Sequence, residues 1–193
     1  YFNIGLSLQR LEKFEESIDA YEKTLSLNPD HFLAYNNLGN VLRNYGKKEC
    51  SIKAYEKAIT LKPDYTEAIS NLGVILKECD RFAEALEAFE KALKIDQTYV
   101  EAYNNIGVTL KEQGMSEKSI EAYKNALSIR PNYPEALNNM GIALKDQGRI
   151  EEALEAYTKA IALKPDYPEA HNNMSIALQD QGRLKEAIEA YTK

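Results

Sequence analysis

Gly5, Gly39, Gly73, Gly107 and Gly141 recur every 34 residues, with Ser175 on the next step, and Gly46, Gly114, Gly148 and Gly182 hold a second phase of the same period. The two series account for all 9 glycines of the chain, which leaves none for a phosphate-cradling loop. A period of this length restricts the chain to an array of like supersecondary units, each of which buries its apolar face only against its neighbours.

The other punctuating residues keep the same register. Pro29, Pro63, Pro131 and Pro165 share one phase and Pro134 and Pro168 another, together all 6 prolines; of the 13 tyrosines only Tyr45 falls outside three phases. Within the unit from Phe32 to Tyr65, apolar or small residues recur twice at helical spacing: Tyr35, Leu38, Gly39, Leu42, then Ser51, Tyr55, Ala58, Leu61. Gly46 supplies a helix stop between the two runs, and the proline of Leu-Lys-Pro-Asp-Tyr ends the second. The spacing therefore predicts an all-α chain of helix pairs.

The unit Tyr35-x-x-Leu38-Gly39-x-x-Leu42, then Ser51-x-x-x-Tyr55 and Pro63, resembles the tetratricopeptide repeat, with Tyr for its usual Trp and Leu for its Tyr. The resemblance covers the whole chain, with departures at Thr24, Ser175 and Gln97. It implies a right-handed superhelical solenoid of about six antiparallel helix pairs, a single array over 1–193. The units are 1–31 (partial), 32–65, 66–99, 100–133, 134–167 and 168–193 (partial). Close packing explains the small residues, with Gly39 expected to face the Ser51 and Ala58 positions of the second helix. A start without Met and a stop before the last expected turn read as a piece of a longer array. The face around Ala187, Ile188 and Tyr191 is then expected to be open, to touch another copy or residues beyond this segment.

Composition excludes several classes of function. A net charge of −6 opposes nucleic acid as a partner, and no apolar run approaches the about 18 residues that membrane insertion needs. Cys50 and Cys79 lack metal or redox spacing and read as free thiols in a reducing, cytoplasmic setting. His31 and His171 read as repeat variants rather than ligands, and the acidic residues as a solvated helix surface with Lys at i+4, as in Glu87 and Lys91. No catalytic residue, metal or cofactor is expected, and the chain is not read as an enzyme.

On the side of each first helix opposite its apolar stripe, four chemistries recur: Glu67, Asn71, Val74, Glu78; Glu101, Asn105, Val108, Glu112; Glu135, Asn139, Ile142, Asp146; Glu169, Asn173, Ile176, Asp180. Asparagine holds its phase in every unit, as Asn3, Asn37, Asn71, Asn105, Asn139 and Asn173. A side-chain amide offers a donor and an acceptor, matching a peptide unit. In the family the first helices line a concave groove, and this series resembles the asparagine ladder of O-linked N-acetylglucosamine transferases, whose amides hold a peptide backbone. The alternative is that these amides bond to neighbouring repeats or water. Val74, Val108, Ile142 and Ile176 either touch a ligand's side chains or pack on the next helix. Lys77, Lys111 and Lys145 flank the acidic residues and offset part of their charge, so a mildly basic or polar peptide is expected. Carboxylate-clamp members of the family need Lys where this chain has Asn36, Ser70, Asn104, Asn138 and Asn172, so that specificity is not expected.

The expected function is a protein-interaction scaffold that takes an extended peptide. Two other readings stay open: the substrate-recognition arm of a larger enzyme such as a glycosyltransferase, and self-assembly through uncapped ends.

Overall fold

A computed structural model describes residues 1–191, which form helices and turns. The chain falls into two compact units, Tyr1–Gln97 and Thr98–Lys193. The first holds α1 (Phe2–Arg10), α2 (Phe14–Leu27), α3 (Phe32–Asn44), α4 (Lys48–Leu61), α5 (Thr66–Glu78) and α6 (Phe82–Ile95). The second holds α7 (Val100–Glu112), α8 (Ser116–Ile129), α9 (Pro134–Asp146), α10 (Ile150–Leu163), α11 (Pro168–Asp180) and α12 (Leu184–Tyr191). Odd- and even-numbered helices pair in sequence, and within a unit the second helix of a pair packs on the first of the next. First helices also touch: α3 meets α1 and α5 in the first unit, and α9 meets α7 and α11 in the second. This is the all-α architecture of stacked helix pairs that the period predicts.

Each first helix ends in a left-handed residue. After α3 the Lys47 N–H bonds back to the Leu42 carbonyl at 2.8 Å while Gly46 sits at φ +83°, a Schellman-type stop. The same phase in the pairs without glycine is held by Glu12 and Asp80, at φ 57° and 58°. The second helices α2, α4, α6, α8 and α10 each end in an extended residue, such as Lys62 at φ −137° and ψ 88°, which the following proline favours. Asp96 adopts the same conformation, φ −133° and ψ 99°, although Gln97 follows it.

The pairs are held together by an aromatic ring on glycine. A Cβ on Gly39 would lie 2.6 Å from Cε1 of Tyr55, and one on Gly141 2.5 Å from that of Tyr157; Tyr21, Phe89 and Tyr123 cover Gly5, Gly73 and Gly107 in the same way. The glycine is required by this ring rather than by Ala58, and Ser51 takes part through its hydroxyl, which donates to the Gly39 carbonyl at 2.8 Å. Ala187, expected on an open face, is instead buried in the core of the second unit, because α12 folds onto α11 there. Ile188 is exposed, and the Tyr191 side chain lies outside the described residues. Among the described residues, the ion pairs of the second helices form at i,i+3 rather than at the i,i+4 spacing of Glu87 and Lys91. Arg81, Arg149 and Arg183, each just before a second helix, grip Glu84, Glu152 and Glu186 through two nitrogens, a bidentate geometry that the flexible lysine cannot match.

Candidate functional site

The side of the first helices opposite the core carries two parallel series of contacts, each joining a residue to one 35 positions later. The first series is made of amides. Asn71 Nδ2 donates to Asn36 Oδ1 at 3.0 Å, Asn139 Nδ2 to Asn104 Oδ1 at 3.1 Å, and Asn173 Nδ2 to Asn138 Oδ1 at 3.0 Å. The donors are half-buried and the acceptors buried, at 1%, 9% and 4% exposure for Asn36, Asn104 and Asn138. One of the two N–H groups of Asn71, Asn139 and Asn173 is thus spent on the preceding pair.

The acceptors come from the phase that sequence analysis used only to exclude a lysine clamp. Two adjacent asparagines in α3, α7 and α9 were the available signal, since a 35-residue step sets the second of one pair against the first of the preceding pair. Asn36 has further partners: its Nδ2 lies 3.3 Å from the Tyr65 hydroxyl and 3.1 Å from Glu67 Oε1, and the Tyr65 hydroxyl donates to Glu67 Oε2 at 3.2 Å. The equivalent phase in α1 is Phe2, which stacks on His31 at 4.7 Å, so Asn37 faces no side-chain acceptor at that step. Asn3 is exposed, and Asn37 and Asn105 are half-buried.

The second series is ionic. Arg43 reaches Glu78 at 2.9 Å, Lys111 reaches Asp146 at 3.7 Å and Lys145 reaches Asp180 at 3.9 Å. Lys77 holds the same phase in α5 and is half-buried. The upper carboxylates are also paired, Glu101 with Arg130 at 2.9 Å and Glu135 with Lys164 at 3.9 Å. Those two cations sit on aromatic rings in the turns, Arg130 5.2 Å from the Tyr133 centroid and Lys164 4.4 Å from that of Tyr167. The acidic character expected of this face is therefore largely compensated by cations of the same or the preceding pair.

Val108 and Ile142 are half-buried and pack against the core of the second unit, Val74 is half-buried, and Ile176 is 37% exposed. Packing on the protein is the main role of Val108 and Ile142. Both histidines have structural partners: His31 Nδ1 accepts from the Ala34 N–H at 3.2 Å and caps α3, and His171 Nε2 lies 3.0 Å from the Pro165 carbonyl. Cys50 is an exposed free thiol and Cys79 a half-buried one. Among the described residues, no group of three or more His, Cys, Asp or Glu is placed to hold a metal ion, and no helix is long and apolar enough to cross a membrane.

Models of the tetratricopeptide repeat match residues 1–31 and 20–49, and a further TPR repeat model matches 75–114, 110–148 and 143–182. The tetratricopeptide repeat-containing protein trd-1 of Caenorhabditis elegans is 49% identical over 37 residues, 19% of this chain and 5% of that protein, so the match spans a small part of the relative's length. The crystal structure of MamA is 27% identical with a TM-score of 0.73, covering 86% of this chain and 96% of that one. PilW, a widely conserved type IV pilus biogenesis factor, shares the fold at 21% identity and a TM-score of 0.89, covering 98% and 88%. YrrB, described as a TPR protein with an unusual peptide-binding site, does so at 22% identity and 0.65, covering 90% and 89%.

Proposed function

The chain belongs to the tetratricopeptide repeat family, and on that premise we propose that it is a protein-interaction scaffold that holds an extended peptide segment against the first helices of its pairs. The observation that carries this reading is the row of half-buried amides at Asn71, Asn139 and Asn173, in one phase and with one bonding pattern in both units. An amide with one N–H engaged keeps a second N–H and a carbonyl oxygen, the pair needed to meet a peptide unit. Asn3, Asn37 and Asn105 extend the row by phase. The peptide-binding site named for YrrB is consistent with this use of the fold.

The ion pairs narrow the ligand's chemistry. A strongly basic peptide would have to displace Arg43, Lys111 or Lys145 from carboxylates they already neutralise, so of the mildly basic and polar peptides expected from sequence the polar, nearly uncharged one is favoured. The exposed edge of Ile176 offers limited apolar contact. The two free thiols fit a reducing, cytoplasmic setting.

A peptide array probed with the wild type and with a variant carrying Asn71→Ala, Asn105→Ala and Asn139→Ala tests the proposal. The expected result is loss of binding by more than about tenfold, about 1.4 kcal/mol, with helical content and melting temperature kept. Equal binding by both proteins would remove the amide row from the site.

A further inference from the structure

We infer that the buried asparagines Asn36, Asn104 and Asn138 are positioning residues, which fix the orientation of the ladder amides Asn71, Asn139 and Asn173 and so decide which atom each one offers to a ligand backbone. The inference rests on the proposed peptide site, but its first step concerns the free protein alone.

The orientation begins at Glu67. A carboxylate oxygen accepts and cannot donate, so the Asn36 side chain must turn its Nδ2 toward Glu67 Oε1, 3.1 Å away. Its Oδ1 then points the other way, and only an N–H can meet it; Asn71 supplies that N–H at 3.0 Å. Asn71 is left with its Oδ1 and one N–H in a fixed plane. In the second unit, Asn104 and Asn138 accept in the same sense from Asn139 and Asn173. The Asn138 amide also faces the Tyr167 hydroxyl as Asn36 faces that of Tyr65. Burial of the acceptors makes reversal costly, because a flipped amide would set two carbonyl oxygens against each other away from water.

The ladder is therefore not uniform. Asn71 is locked, whereas Asn37, one pair earlier in the same unit, meets Phe2 at the equivalent step and has no amide to orient it. A preset amide binds a backbone without first losing rotamer freedom, so Asn71 should contribute more to affinity than Asn37.

The experiment measures nitrogen-15 relaxation of the side-chain amides in the free, full chain, in the wild type and in Asn36→Ser and Asn138→Ser variants. Serine is chosen because Ser70 holds this phase buried in α5, so the fold accepts it. Rigid amides at Asn71, Asn139 and Asn173 with a mobile one at Asn37 are expected in the wild type. Asn36→Ser should release Asn71 alone, and Asn138→Ser should release Asn173 alone. Asn71 as mobile as Asn37 in the wild type, or unmoved by Asn36→Ser, would overturn the inference. Binding is read with the strongest fluorescein-labelled peptide from an array of random 15-residue sequences. Each serine variant should weaken it about three- to tenfold, as loss of one hydrogen bond's ordering predicts, and Asn37→Ala should weaken it less than Asn71→Ala. Unchanged affinity after a demonstrated release would also overturn the positioning role. Absence of any binding peptide would refute the proposed function, while the relaxation data would still decide whether the buried asparagines orient the ladder.

Discussion

The tyrosine that covers each glycine ends in a hydroxyl, and its neighbours on the first helix decide what that hydroxyl costs. Tyr55 donates to Asn40 Oδ1 at 2.7 Å and Tyr21 to Gln9 Oε1 at 3.1 Å, but Ile142 occupies the phase of Asn40 in α9, and the buried Tyr157 hydroxyl has no hydrogen-bond partner. A buried polar group left unpaired costs about 1–3 kcal/mol, whereas a made hydrogen bond contributes about 1 kcal/mol net. Tyr157→Phe should therefore raise stability by about 1 kcal/mol and Tyr55→Phe should lower it by a similar amount, as read by chemical denaturation of the two variants side by side. The fold already accepts Phe here, as Phe89 shows. A loss of stability in both variants would mean that Tyr157 has a partner. The ring's place was legible in the sequence, because ring and glycine keep phase. The hydroxyl's fate was not, since it depends on whether a residue 12 or 15 positions earlier can accept a hydrogen bond.

Helix stops follow the same logic one level up. Gly46, Gly114, Gly148 and Gly182 occupy the left-handed region at φ between +72° and +83°, and Glu12 and Asp80 are forced into it by the period. A side chain there costs about 1–2 kcal/mol, partly offset by the about 0.5–1 kcal/mol that glycine loses in backbone entropy on folding. Glu12→Gly should then raise stability by about 0.5–1 kcal/mol, and Gly148→Ala should lower it by about 1 kcal/mol, both measured as shifts in the denaturation midpoint. No atom lies within 4 Å of a Cβ built on Gly148, so steric crowding plays no part in that loss. A destabilised Glu12→Gly would show that the turn depends on the glutamate side chain. At this scale the sequence was nearly sufficient: period, glycine and proline place every pair. It fell short at the ladder, where periodicity set Asn71 and its equivalents on the outward side but could not show that Asn36, Asn104 and Asn138 would meet them. That contact arises from stacking between pairs, with a step of one residue more than the period. The partners of the flanking cations were hidden for the same reason, since Lys111 and Lys145 find their carboxylates on the following pair rather than on their own helix.

Across the whole chain, repetition multiplies one titration. Burial pushes the hydroxyls of Tyr21 and Tyr55 up to about 12 from the ordinary value near 10, raises Tyr123 and Tyr157 further still, and, with Glu101 and Glu135 nearby, brings Tyr133 to about 12. A tyrosine that keeps its proton in the folded chain to higher pH than in the unfolded one makes unfolding release protons in that interval. The stabilising contribution is complete below pH 10 and is lost as the pH rises from 10 through 12. Because the rings sit in helix pairs of both units, the losses accumulate in each. Alkaline titration followed by tyrosinate absorbance and circular dichroism together should show the glycine-covering tyrosines ionising only as the helix signal disappears. A variant with Tyr21→Phe and Tyr123→Phe should keep its helices to higher pH than the wild type, since each unit then has one fewer buried proton to lose. All 13 tyrosines titrating as one class near pH 10 without loss of helix would show that the rings reach solvent in the folded state. Packing of ring on glycine would then not be what holds the pairs together.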